Sequence, residues 1–217
     1  GRIRYTTSHP LEFSDDLIAA YAEIPKLASH VHLPVQSGSD TILAAMKRNH
    51  TAADYLARIK KLKAARPDIL ISSDFIIGFP NETDDDFMAT MNLIAEVDYD
   101  HSFSFIFSKR PGTPAAELSD SVSEETKKER LVILKDHIKK NTLRKTRDMI
   151  GTTQRILVEK VSDRQEGYMV GSADNLRVVY FPADASLIGR FVDVVITDEA
   201  NVNAVRATAP IWVEDLG

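Results

Sequence analysis

Residues 69–79, ILISSDFIIGF, form an almost unbroken apolar run holding one acidic residue, and Gly78 and Pro80 close it. A run of that length and β-branched content is a strand covered on both faces, which belongs chiefly to parallel sheets with helical crossovers. The neighbouring segments agree. "RIRYTT", "HVHLPV" and "HSFSFIFS" read as further strands, the last alternating strictly with Phe103, Phe105 and Phe107 on one face. Helix signals lie between them. Ser14 caps "SDDLIAAYAEI", and Ser39 caps "DTILAAMKR". Thr51 with Asp54 has capping-box spacing for a helix over 52–66, whose stripe is Tyr55, Ile59 and Leu62. Thr83 and Asp86 open the next helix, with Phe87, Met91 and Ile94 inward. Four strands separated by helices predict right-handed βαβ units, part of a barrel or an open sheet.

A long helix follows, with Ser121 and Glu124 at capping-box spacing and Leu131, Leu134 and Ile138 as its apolar stripe. Between Ser123 and Asp148 it carries nine Lys and Arg against five Asp and Glu. On a packed helix such a run is first of all a solvated face. The alternative is an RNA-facing role for Lys139, Lys140, Arg144, Lys145 and Arg147.

Near Gly151 the period changes to two. "TQRILVEKV", "EGYMVGSA", "LRVVYFPA", "RFVDVVIT" and "AVRATAP" predict a small antiparallel five-stranded barrel of OB-like type. The fold class is therefore α/β for 1–149, followed by a β-barrel over 150–217. OB-like barrels often bind nucleic acid. This one holds six basic and ten acidic residues from Ile150 onward, so any RNA contact must be local.

The chain has 217 residues and a net charge of −5, an ordinary globular profile. It has no cysteine, which excludes disulfides, thiolate catalysis and thiolate-held metal within these residues. No run approaches the roughly 20 apolar residues that span a bilayer, and the N-terminus carries no signal-peptide pattern. A cytoplasmic location is expected. The opening "GRIRYTTSHP" enters a strand directly with no initiating methionine, which reads as a fragment of a longer protein.

In α/β folds ligands bind at the carboxyl ends of parallel strands. Gln36, Ser37 and Gly38 occupy one such end, and Asp74 to Pro80 the next. A Gln-Ser-Gly turn is also a common structural turn. Asp74 raises the interest, because a carboxylate in an apolar strand is costly unless paired or bound to a cation. A barrel serine or an arginine such as Arg48 is the structural alternative for its partner. Asp84, Asp85 and Asp86 suit a helix first turn better than a metal site. His30 and His32 share a strand face without an evident third ligand, which favours packing.

Three segments, "HLPVQSGSDTILAAMKRNHT", "SSDFIIGFPNETDDDF" and "SFSFIFSKRPGTPAA", together resemble the radical S-adenosylmethionine (SAM) methylthiotransferases. "NLRVVYFPADASLIGRFVDVVITDEA" is similar to the TRAM domain of that family. The resemblance covers nearly the whole chain. It implies the second half of a radical SAM barrel plus a TRAM domain, with two [4Fe–4S] clusters ligated by cysteines outside this chain. The chain alone is then expected to be inactive.

The family holds SAM with a glutamine after one strand, an arginine twelve residues later and an aspartate on the next strand. Gln36, Arg48 and Asp74 match, and Ser37, Gly38, Ile77, Gly78 and Phe79 complete the implied SAM shelf. The implied reaction installs a methylthio group at C2 of isopentenyl-adenosine 37 of tRNA. Lys109 and Arg110, just after the phenylalanine-rich strand, and Lys139, Lys140, Arg144 and Lys145, on the basic helix, are the expected RNA contacts. Threonylcarbamoyl-adenosine at the same tRNA position is the rival substrate, and a non-catalytic RNA-binding module the rival class. A monomer is expected.

Overall fold

The computed structural model describes residues 1–7 and 9–217. Packing divides them into two compact units, Gly1–Asn141 and Thr142–Gly217. The sequence puts the division at about residue 149, where the long helix ends. Packing draws it earlier because Thr142, Thr146 and Met149 belong to the second unit, where buried Arg177 donates to the Thr142 carbonyl and the Thr146 hydroxyl.

In the first unit, α1 (Asp15–Glu23) precedes β1 (His30–His32), α2 (Asp40–Ala45), α3 (Ala52–Ala65), β2 (Leu70–Ile77), α4 (Asp84–Val97) and β3 (His101–Ile106). The strands form a parallel sheet in the order β1-β2-β3. The local signals that start the helices operate as expected. Ser14 and Ser39 each accept a backbone N–H, and Thr51–Asp54 and Thr83–Asp86 are both complete capping boxes.

Two expectations do not hold. The "RIRYTT" segment makes only single parallel bridges, Ile3 to Leu27 and Thr6 to His32, because three-residue β1 offers it no continuous ladder. The long helix α5 (Glu124–Asp148) is capped by Ser123, whose hydroxyl accepts from the Thr126 N–H, rather than by Ser121.

Strand alternation sorts the sheet into two faces. Val31, Ile71, Phe75 and Ile77 enter one core with Tyr55, Ile59, Leu62, Phe87 and Ile94 from the helices and Leu134 and Ile138 from α5. His32, Ser72, Asp74, Phe103 and Phe105 stand on the opposite face. Phe103 and Phe105 are 58% and 49% exposed there, so they are not buried core.

The second unit holds β4 (Thr153–Val161), β5 (Tyr168–Ser172), β6 (Val178–Pro182), β7 (Phe191–Asn201), β8 (Ala204–Ala207) and β9 (Trp212–Val213). The first five close into a ring, β4-β5-β6-β8-β7 and back to β4, around Ile156, Val158, Val179, Phe181, Val194 and Val205. The barrel is not wholly antiparallel: β6 and β8 run parallel. A closed ring of five strands cannot alternate direction all the way round, so one like-directed pair is unavoidable. It falls between β6 and β8 because β7 returns the chain on the far side of β8.

Candidate functional site

The polar cluster at the ends of β1 and β2 is built from the backbone outward. Gln36 follows β1, donates its N–H to the Asp74 carbonyl at 3.0 Å, and accepts from the Ile76 N–H at 3.0 Å. Those bonds fix Gln36, past the end of β1, against the middle of β2, where Asp74 lies. Gln36 has φ +76°, a left-handed conformation costing a non-glycine residue about 1–3 kcal/mol. Its side-chain Oε1 is buried with no hydrogen-bond partner among the described residues. An orphaned buried carbonyl costs about 1–3 kcal/mol. Strain and an unused acceptor coincide at one residue, as they do where a fold is shaped around a ligand.

Asp74 is partly buried, and its Oδ1 lies 3.0 Å from Nε2 of His32. The other ring nitrogen, Nδ1, lies 2.7 Å from the Ser72 hydroxyl. The expected partners of Asp74, a barrel serine or Arg48, are therefore replaced by His32. The register explains the exchange: His32 is level with Ser72, and Asp74 is two residues further along the same face. The chain Ser72–His32–Asp74 orients the carboxylate while leaving its second oxygen to other donors. Pairing also gives His32 a role beyond packing. The signal for it was two histidines alternating on the face that also presents Asp74.

Arg48 lies past the end of α2, beyond Lys47 in a left-handed turn (φ +59°). Its guanidinium is partly buried and makes no hydrogen bond or ion pair among the described residues. Nearby His50 is buried. Burial first, then the charges of His9 and Arg48, push its pKa down, so it remains neutral beside that arginine.

The other five shelf residues are engaged by the fold. Ser37 and Gly38 bind α4: the Gly38 N–H donates to the Thr90 hydroxyl at 2.9 Å, and the Ser37 and Thr90 hydroxyls lie 3.3 Å apart. A Cβ on Gly38 would sit 2.5 Å from the Ala89 carbonyl and 2.7 Å from the Thr90 Cα. The close approach that demands glycine is thus made by helix backbone. Ile77 points into the helix-side core, away from the face of Asp74 and His32. Gly78 has φ +73°, donates to Glu82 at 3.2 Å, and lies under the Lys127 stem. Phe79 is buried against the edge of Phe107, ring centres 5.0 Å apart.

Arg130 and Lys127, two of the nine bases counted on α5, are committed internally. Arg130 is buried and donates to the Glu82 carbonyl at 2.9 Å, to Glu82 Oε1 at 3.0 Å and to Asp84 at 2.8 Å. Lys127 is buried against Asp120 at 2.5 Å. Asp86, in the first turn of α4, accepts from the Ser39 hydroxyl at 2.6 Å. Burial works to raise its carboxyl, but the Ser39 and Thr83 bonds prevail and hold it below the ordinary value. No group of metal-ligating side chains is assembled among the described residues.

The bases expected to face RNA lie elsewhere. Lys109 and Arg110 are exposed in the loop after β3. Lys139 and Arg144 are exposed, Lys145 is half-buried, and Lys140 pairs with Asp136 at 3.0 Å. Arg147 pairs with Glu199 at 2.9 Å.

Comparison with known proteins adds two family matches. Residues 1–94 match the radical SAM superfamily and residues 147–209 the TRAM domain. The chain is 60% identical over 209 residues to a protein of Psychrobacter cryohalolentis named tRNA-2-methylthio-N(6)-dimethylallyladenosine synthase. It is 55% identical over 205 residues to the Acinetobacter baumannii protein of that name, and 60% over 197 residues to that of Hahella chejuensis. These alignments cover 94%, 94% and 90% of the chain but only 42%, 42% and 44% of the relatives.

Proposed function

From a chain that joins part of a radical SAM domain to a TRAM domain, we propose that it serves a tRNA methylthiotransferase acting on isopentenyl-adenosine 37. In this reading the chain supplies one wall of the SAM site and part of the RNA platform, in the cytoplasm, with A37 presented from the anticodon loop. Two [4Fe–4S] clusters would be held by cysteines outside these 217 residues, which contain none.

The observation that carries the reading is the buried, unpartnered side-chain Oε1 of Gln36, a residue whose backbone is bonded to Asp74 and Ile76 of the neighbouring strand. The donor set fits SAM. Gln36 Oε1 accepts a hydrogen bond from the ligand, and Asp74, held by His32, accepts from the ribose hydroxyls. The Arg48 guanidinium matches the carboxylate of the amino-acid moiety. Ser37 and Gly38 act indirectly, fixing the Gln36 turn to α4. When bound, SAM supplies the radical chemistry, and the protein supplies placement and exclusion of water. The basic residues Lys109, Arg110, Lys139, Lys140, Arg144 and Lys145 contribute phosphate contacts.

In the full-length, cluster-reconstituted protein, Asp74→Ala should weaken SAM binding by about 1–3 kcal/mol, the value of a charged hydrogen bond. Calorimetry is the readout. Unchanged SAM affinity in a folded Asp74→Ala protein would falsify the assignment.

A further inference from the structure

On the outer wall of the barrel, a cleft of about 170 Å³ is lined by Ser162, Arg164, Gln165, Tyr168, Tyr180, Ala200 and Arg206. Its position follows from alternation. Met169, Val179, Phe181, Val205 and Ala207 point into the core, which sends Tyr168, Tyr180 and Arg206 outward. Tyr180 on β6 is level with Arg206 on β8, so a ring and a guanidinium are cross-strand neighbours. The Arg164 guanidinium lies over the Tyr180 ring, 5.9 Å from its centre. The loop carrying it is pinned by buried Ser162, whose hydroxyl accepts the N–H groups of Arg164 and Gln165.

We propose that this cleft holds one unpaired nucleotide of the RNA, its base stacked on the tyrosines and its phosphate facing Arg164 and Arg206. The proposal rests on the RNA-binding reading above. Three features favour a nucleotide. First, the barrel carries six basic and ten acidic residues, so two arginines in one cleft stand out from an acidic surround. Second, the Arg164 guanidinium makes no ion pair among the described residues, and a phosphate would supply one. Arg206 is held by Asp198 and the Glu199 carbonyl through one terminal nitrogen, which leaves its other donors available. Third, aromatic faces accept any base, and stacking of this kind is the usual means of holding single-stranded RNA.

The test uses the 217-residue chain with fluorescein-labelled oligouridylate and oligoadenylate, and separately an anticodon stem-loop, read by anisotropy. Tyr180→Ala should weaken binding of the oligomers roughly five- to a hundredfold, the range of one base stack. Tyr180→Phe should bind as wild type, because the ring and not the hydroxyl does the work. Arg164→Ala, on an exposed loop, should shallow the dependence of log affinity on log salt by about 0.7, the share of one single-strand phosphate. Circular dichroism and the Trp212 emission report whether each variant is folded; if Tyr180→Ala is not, Tyr168→Ala with Arg164→Ala decides. Wild-type affinity in folded Tyr180→Ala, or in that pair, overturns the cleft while leaving RNA binding by the basic helix intact. A wild-type chain that binds neither oligomer nor stem-loop overturns both.

Discussion

Arg130→Ala should be among the most damaging single substitutions in the first unit. Glu82 is 2% exposed, and Arg130 supplies both its ion pair and a bond to its backbone carbonyl. The Asp84 pairing matters little, because that carboxylate is exposed and screened. Removing the arginine leaves Glu82 with the Gly78 N–H as its remaining donor among the described residues, and its Oε2 already has none. Stranding a buried charge in this way costs about 3–5 kcal/mol. The double variant Glu82→Gln with Arg130→Met should recover much of that loss, since no charge is left uncompensated.

The pH dependence fixes the cause. Burial already raises the Glu82 carboxyl above its ordinary value, against the opposing Gly78 bond and the Arg130 charge. Without Arg130 it rises further. A folded state that binds the proton more tightly than the unfolded chain gains stability as pH falls through the raised value. The Arg130→Ala defect should therefore be largest near neutrality and shrink towards the ordinary carboxylate range. Urea unfolding followed by helical circular dichroism reports the first unit, while the single tryptophan, Trp212, reports the barrel as an internal control. A loss below about 1 kcal/mol, or a defect that deepens as the medium is acidified towards pH 5, would refute the argument.

Two further outcomes follow from the packing. Gly38→Ala drives a methyl into the α4 backbone, which cannot rotate away as a side chain would; stability should fall by about 2–3 kcal/mol, at the upper end for overpacking, and an unchanged urea midpoint would disprove the close approach. Neutralising Lys139, Lys140, Arg144 and Lys145 together should weaken anticodon stem-loop binding and shallow its salt slope by about 0.9 for each phosphate these residues neutralise, measured between about 50 and 200 mM salt. Wild-type affinity and slope in that variant would make this stretch of α5 a solvated connector only.

What the sequence showed, and what it hid, divides along the range of the interactions. Ser14, Ser39, Thr51 and Thr83 each act on backbone three residues away, so their roles could be read directly. The five barrel strands were equally plain, since each carries its own alternation. Properties set by a distant partner were not. That Gly38 yields to α4, that His32 rather than Arg48 meets Asp74, and that β6 and β8 run parallel all depend on register and closure. Tyr168 and Tyr180 were invisible as a site for the same reason: they lie twelve positions apart in the chain, and one β-ladder joins their strands. Arg130 and Lys127 looked like members of a basic face until their acidic partners, over forty residues away in one case, came into view.

The far edge of β3 has no ladder partner among the described residues, and the face beside it presents Phe103 and Phe105. An open strand edge next to exposed aromatic surface is a template for accretion of further chains. Like-charge repulsion, −5 in all, opposes that growth, and it weakens as the Debye length contracts. Ionic strength should therefore tune the colloidal behaviour of this chain: light scattering is expected to rise as salt is added, with the open β3 edge as the point of accretion.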